Sequence, residues 1–179
     1  MISPLTLHRW AYLGLFLGLS ALIVFIRMLP LDASSGGMPP PDLIVLLGFA
    51  WVLRRPDFVP VLPFAAVLLA TDMIFLRPPG LVTALAVIGL EWLRVRGGAL
   101  RERGLAVEWA TVGAVLAAML LAERVLLALF FVEQGGFGLA VLGLAVNVVV
   151  YPLVAAISVW GFGVRRLAPG EHAAEARLI

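Results

Sequence analysis

Ionisable and polar side chains inside apolar stretches are the residues of this chain most able to do chemistry. Arg27, Asp72, Glu123 and Arg124 interrupt long apolar runs, and Asn147 interrupts another. A charge at the centre of a membrane-spanning helix costs about 2.5–3.5 kcal/mol on an insertion scale, so such residues are usually paired or functional. We therefore treat these five residues as a candidate intramembrane polar network.

The heights of these residues along their apolar segments predict how they pair. At about 1.5 Å per residue, Asp72 lies about 21 Å from the start of its segment, and Arg27, Glu123 and Arg124 lie roughly 20–26 Å along theirs. We therefore expect Asp72 to pair with Arg124 or Arg27, and Glu123 to pair with the remaining arginine. Such a network holds helices in register, lines an outward-facing cavity or contacts a partner's transmembrane helix, and the sequence leaves these alternatives open.

The side chains that nucleophilic and metal-dependent enzymes use are sparse. The chain has no cysteine, and its histidines, His8 and His172, lie in the polar terminal segments. Ser20 and Ser158 are the hydroxyl groups well inside apolar segments, and we expect both to bond back to the preceding helical turn. The sequence therefore predicts a protein that is not an enzyme and that holds no cofactor or metal.

The composition places the chain in a membrane. Its 179 residues are 63% hydrophobic and 13% charged, with a mean hydropathy of +1.08, whereas soluble domains are about 45–50% apolar and about 25% charged. The sequence predicts an all-α integral membrane protein with a single transmembrane domain over residues 1–162 and a cytoplasmic tail over 163–179. Six spans are predicted, of which the second and fourth are short: about 10–29, 42–53, 58–76, 81–93, 107–132 and 138–162.

The distribution of arginine predicts the orientation. All thirteen basic residues are arginine, and with six spans ten of them fall on the side that holds both termini. Arg27 and Arg77 fall on the other side, and Arg124 lies within the fifth span. Because basic loops stay in the cytoplasm, both termini are predicted to be cytoplasmic. The net charge of only +2 and the lack of a folded basic domain argue against nucleic-acid binding.

Small residues mark where helices can approach one another. Gly14 and Gly18 form a G-x-x-x-G pattern in the first span, which predicts packing against another helix of this chain or of a partner. On the sixth span a polar-edged stripe recurs every four residues and predicts a single helix face, with an interhelical hydrogen bond at its amide. The stripe consists of Gly143, Asn147, Tyr151 and Ala155.

A charged loop is predicted between the fourth and fifth spans, over residues 94–108. It carries Arg94, Arg96, Arg101 and Arg103. Such a cluster fixes orientation and lies against anionic lipid headgroups.

The central segment, from about Met38 to Arg94, resembles a known family. Its motifs and their order are similar to MreD, the rod shape-determining membrane protein of bacteria, in the form found in alphaproteobacteria. The motifs are Pro40-Pro41-Asp42-Leu43-Ile44, Phe49-Ala50-Trp51, Arg54-Arg55-Pro56, Asp72 near a helix end, and Pro79-Gly80-Leu81.

This resemblance implies a non-enzymatic scaffold of the cell-elongation complex in the cytoplasmic (inner) membrane, acting in the regulation of cell shape and in peptidoglycan synthesis. Such proteins bind MreC in a hetero-oligomer and connect it with the cytoskeletal MreB and with the elongation-specific transpeptidase and glycosyltransferase, directly or indirectly. The family's helical arrangement is similar to that of the substrate-binding components of energy-coupling-factor transporters, so a vitamin-binding component is the alternative. Candidate partner or packing residues are Gly14, Gly18, Asp42, Trp51, Arg54, Arg55, Pro56, Arg94, Arg96, Arg101 and Arg103.

Overall fold

The structure, a computed structural model, is helical throughout the residues that it describes, which are 4–29, 39–101 and 103–164. Each predicted apolar segment contains one helix, so the all-α class is confirmed for this part of the chain. A short 3-10 turn at Pro56–Phe58 precedes the third helix. The helices are α1 Pro4–Met28, α2 Leu43–Arg54, α3 Val61–Ile74, α4 Leu81–Arg101, α5 Leu105–Leu129 and α6 Phe137–Trp160.

Three of the helices are long and apolar enough to cross a membrane: residues His8–Met28 of α1, and the whole of α5 and α6. In the most apolar part of each, only 11% (α1, α5) or 17% (α6) of the residues are buried inside the bundle. Apolar side chains that face outward in this proportion are stable against lipid and not against water. The molecule is therefore a helical membrane bundle.

The short helix α2 is the centre of the bundle. Eleven of its twelve residues are buried, and it packs mainly against α4 on one side and α6 on the other. At about 1.5 Å per residue α2 is about 18 Å long, well short of a hydrocarbon core of about 30 Å. A helix that is apolar on every side is stable in this position, because neighbouring helices rather than lipid surround it.

The two ends of the bundle are named here after the residues that flank α2. At the Asp42 end, Arg27 in the last turn of α1 and Arg77 after α3 both reach Asp42. At the Arg54 end, the hydroxyl of Tyr12 near the start of α1 donates to the carbonyl of Phe162 after α6, at 3.2 Å. Successive helices therefore run in opposite directions between the same two ends.

The fourth helix is longer than its predicted span. It continues past Leu93 to Arg101, and α5 begins at Leu105, so the predicted loop over residues 94–108 is wrong for most of its length. The apolar run ends at Leu93, but no proline follows it before Arg101, and the arginine, alanine and leucine residues there are good helix formers, so the helix continues through Gly97 and Gly98.

The packing glycines differ from those that the sequence predicted. A methyl group added at Gly14 or Gly18 would meet nothing within 4 Å, so the G-x-x-x-G pattern does not lie at a crossing within the described part of the chain. Close approaches occur instead at Gly48 of α2, where a methyl group would overlap the ring of Phe64, and at Gly89 of α4.

Candidate functional site

A cavity of about 820 Å³ opens at the Asp42 end. It exists because α2 is short. Asp42 lies level with Asn147 of α6, since its backbone N–H donates to the Asn147 side-chain oxygen at 2.8 Å. From Asn147, α6 continues for ten residues to Phe137, or about 15 Å, beyond the start of α2. The parts of α5 and α6 nearest the Asp42 end therefore enclose a space that α2 does not fill.

Asp42 is the centre of the charges that line this cavity. Its Oδ1 lies 3.0 Å from Nη1 of Arg27 and 3.3 Å from Nη2 of Arg77. The Arg27 guanidinium also lies 4.7 Å from the ring centre of Phe75. One carboxylate therefore joins the ends of α1 and α3 to the start of α2, with each charge partly exposed to the cavity.

Glu123 and Arg124 line the opposite wall, on α5. Nη1 of Arg124 donates to the backbone carbonyl of Gly135 at 2.7 Å and to the side chain of Gln134 at 3.2 Å. Gln134 in turn donates to the Arg124 carbonyl at 3.1 Å. Arg124 therefore fixes the turn between α5 and α6. Glu123, beside it on the same helix, lies within electrostatic range of Arg77 on the other side of the cavity.

Asp72 does not join this network. Its Oδ2 accepts hydrogen bonds from the backbone N–H groups of Gly80 and Thr83, at 3.2 and 3.3 Å, and from the Thr83 hydroxyl at 2.7 Å. These are the orphan donors at the start of α4, which a carboxylate satisfies and stabilises. Asp72 is a capping residue for the next helix, and its predicted pairing with Arg124 or Arg27 is wrong.

Of the predicted polar network, the structure therefore brings Arg27, Glu123, Arg124 and Asn147 to one cavity and leaves Asp72 outside it. Arg77 was missed as a member, because it follows the apolar run and was considered only for the orientation. With it, the wall carries three guanidinium groups and the carboxylates of Asp42, Glu123 and Glu133. A volume of this size is within the range of small-molecule sites.

The Arg54 end holds a buried ion pair. Nη1 of Arg54 lies 2.8 Å from Oε1 of Glu108 on α5, and the two side chains are 2% and 1% exposed. The Tyr151 hydroxyl of α6 donates to the same carboxylate oxygen at 2.6 Å, and Nη1 of Arg54 also donates to the Ala50 carbonyl at 2.9 Å. This network ties α2, α5 and α6 together and removes Arg54 from the surface.

Glu108 and Tyr151 were missed as partners of Arg54. Glu108 lay in the predicted loop. The signal that could have identified it as a partner was its acidic side chain at the same end as Arg54. Tyr151 and Asn147 belong to the four-residue stripe of α6, whose prediction as a single face is confirmed. The stripe contacts α2 at both ends, because Asn147 accepts from Asp42 and Tyr151 lies against Arg54 and Glu108.

Trp51 is also a packing residue. Its indole N–H donates to the Ser158 hydroxyl at 3.1 Å, and that hydroxyl donates to the Val154 carbonyl at 2.7 Å, as predicted for Ser158. The Ser20 hydroxyl is buried without a hydrogen-bond partner among the described residues, so the same prediction is wrong for Ser20.

The other candidate arginines divide between inward and outward positions. Arg94 points inward and donates to the carbonyls of Pro56 and Val59, at 2.9 and 2.7 Å. Arg55 stacks on the Phe58 ring and the exposed Arg96 on the Trp92 ring. Arg103 is exposed, and Arg101 ends α4. The segment 165–179, with its predicted tail, lies outside the described residues.

Within residues 4–29, 39–101 and 103–164, no three His, Cys, Asp or Glu side chains are grouped closely enough to hold a metal ion. The chain matches no protein-family model, no curated protein and no solved structure. The resemblance of its central segment to MreD therefore stays a prediction.

Proposed function

We propose that this chain is a non-enzymatic scaffold subunit of the bacterial cell-elongation complex, of the MreD type, in the cytoplasmic membrane. One observation carries the proposal: the residues of the resemblance are the framework of the fold. Asp42, Trp51, Arg54 and Asp72 each make polar contacts that join one helix to another, and the carbonyl of Pro56 receives Arg94. Signature residues that hold helices together, rather than form a reaction centre, are typical of a structural subunit.

The proposed orientation places the Arg54 end in the cytoplasm. Among the described residues, this end carries Arg9 and the arginines at the ends of α2 and α4, whereas the Asp42 end carries Arg27, Arg77 and Arg124. This asymmetry favours the positive-inside orientation with both termini inside. The cavity then faces the periplasm, where the main part of an MreC-type partner lies.

The outward G-x-x-x-G face of α1 is the proposed contact for the partner's single transmembrane helix. Gly14 and Gly18 are exposed and a methyl group at either would meet nothing within 4 Å. A flat strip of this kind permits close approach of a second helix within lipid. Asp42 at the cavity and the exposed Arg96 at the Arg54 end are further residues that are proposed to contact partners.

The test is affinity purification of the tagged full-length chain from native membranes in mild detergent. Stoichiometric recovery of a protein with one transmembrane helix and a periplasmic coiled coil is the expected result. A Gly14→Leu, Gly18→Leu variant should lower that recovery at unchanged accumulation, with Gly98→Leu at another open glycine as the matched control. Recovery of a transporter ATPase pair instead would contradict the scaffold proposal.

A second candidate function rests on the cavity at the Asp42 end. Its volume of about 820 Å³ and its mixed charges suit a polar small molecule, which favours a vitamin-binding component of an energy-coupling-factor-type transporter. A mixture of water-soluble vitamins should then raise the thermal unfolding temperature of the purified chain. Glu123→Gln should abolish that shift, and no shift with any vitamin would remove this candidate.

A further inference from the structure

A second cavity, of about 400 Å³, opens between α5 and α6 at the Arg54 end. Half of its lining residues are aliphatic, namely Leu105, Pro152, Ala155, Ala156 and Val159. Because α6 presents two alanines here, its surface lies back from α5 and leaves a recess. The cavity is distinct from the larger one at the Asp42 end, and the proposed function does not use it.

The polar part of this recess is the buried ion pair. Arg54 and Glu108 both line it, together with Tyr151. Among the described residues, Nη1 of Arg54 makes all of the guanidinium's hydrogen bonds, and Nε is buried without a partner. A side chain that is 2% exposed therefore keeps N–H donors for an oxygen acceptor that enters the recess. Since Glu108 already balances the Arg54 charge, that acceptor need not be an anion.

Two tryptophans lie on the wall of the recess. Trp109 is 42% exposed and Trp160 is 83% exposed. Trp109 is in the second turn of α5, and Trp160 ends α6. Tryptophans near the ends of apolar helices lie at the boundary between headgroups and hydrocarbon. The recess therefore meets the bilayer at the depth where the glycerol esters of phospholipids lie.

We propose that this recess binds one phospholipid of the surrounding bilayer. An ester carbonyl accepts a hydrogen bond from the Arg54 guanidinium, and the first part of one acyl chain lies against Pro152, Ala155 and Ala156. From Trp160 to Tyr151 the wall is about 13 Å long, so the rest of the chain continues into the bilayer. The ester is common to zwitterionic and anionic phospholipids, so both headgroup classes bind.

Native mass spectrometry of the full-length chain, released from nanodiscs of phosphatidylethanolamine and phosphatidylglycerol, tests the proposal. The expected spectrum shows one retained phospholipid per chain. Ala156→Phe fills the recess and should lower the lipid-bound fraction at least tenfold. Ala118→Phe is the matched control, because Ala118 lines a different groove, between α4 and α5, and should leave the bound fraction unchanged.

The proposal is overturned if the wild-type chain retains a broad range of lipid numbers rather than one lipid per chain. It is also overturned if Ala156→Phe leaves the lipid-bound fraction unchanged. Ala156→Leu, which adds less volume, replaces the Phe variant if that one does not accumulate. The acceptor is tested on the wild-type chain alone, by comparing ester-linked with ether-linked phosphatidylcholine. Loss of one good hydrogen bond should weaken retention about fivefold, and equal retention of the two lipids overturns the role given to Arg54.

Discussion

The carbonyl of Val148 shows how one side chain compensates for another. Pro152 lies inside α6 and has no N–H, so the carbonyl four residues earlier loses its helical donor. The indole N–H of Trp109 on α5 donates to that carbonyl at 2.7 Å. Because lipid offers no hydrogen bonds, an unpaired carbonyl at this position would destabilise the bundle.

Trp109→Phe should therefore lower the stability by about 1 kcal/mol, because it keeps an aromatic ring and removes the donor. In a Pro152→Ala background the helix supplies its own N–H, so the same change should have a much smaller effect. Fluorescence-detected size-exclusion chromatography of a heated fusion protein measures both. Equal losses of stability in the two backgrounds would show that the indole N–H does not compensate for the donor that Pro152 lacks.

Asp72 gives a second prediction at the scale of one residue. Its carboxylate caps α4 through three hydrogen bonds at Gly80 and Thr83, so Asp72→Ala should cost about 1–2 kcal/mol and reduce accumulation in membranes. Asp72→Asn keeps an acceptor oxygen and should lose less. Asp57→Ala, at an exposed carboxylate of the Pro56–Phe58 turn, is the control. A wild-type level of Asp72→Ala would contradict the capping role.

The pairing of Asp72 could not be predicted from its height in the membrane. Height places a residue in a layer, but the rotation of α3 and the turn after it decide which partner the side chain meets. The turn after α3 folds back, so that Gly80 and Thr83 lie within hydrogen-bond distance of the Asp72 carboxylate. By contrast Arg27, Glu123 and Arg124 were correctly placed in one layer, and Asn147 was correctly expected to bond between helices.

At the scale of elements, α2 organises its neighbours through close contacts at glycine. A methyl group at Gly48 would overlap Phe64, and one at Gly89 would lie 2.9 Å from Val115 and 3.0 Å from Phe49. The sequence could not distinguish these glycines from Gly14 and Gly18, because the choice depends on which helix is central. The burial of α2 on every side was equally hidden, since an apolar helix is compatible with lipid and with a protein core.

Matched glycine variants test this arrangement. Gly48→Ala and Gly89→Ala should each destabilise the bundle by about 1–3 kcal/mol, because the neighbouring side chains must move. Gly14→Ala, at an open position in a helix interior, should be neutral or should stabilise by up to about 1 kcal/mol. Thermal unfolding in detergent ranks the three variants. A larger loss at Gly14 than at Gly48 would contradict the central position of α2.

For the whole molecule, composition and the apolar stretches predicted the six helices and their order but not the end of α4, and they left an outward-facing cavity as one of three alternatives. Both cavities are consequences of relative length and side-chain size. The larger one forms because α6 starts at Phe137, about 15 Å beyond the level at which α2 starts, and the smaller one forms because α6 carries alanines beside α5. Relative helix length and the fit of side chains between two helices cannot be read from one segment. Each cavity is therefore visible only in the packed bundle.

The orientation of the whole molecule is testable because the chain contains no cysteine. Gly104 and Gly135 flank α5, which is long and apolar enough to cross a membrane, and a side chain at either position would meet nothing within 4 Å. Gly135→Cys should react with a membrane-impermeant maleimide in intact cells, and Gly104→Cys only after the cytoplasmic membrane is opened, because the arginine-rich end stays inside. The reverse pattern would invert the orientation, and labelling of both cysteines in intact cells would mean that α5 does not cross the membrane.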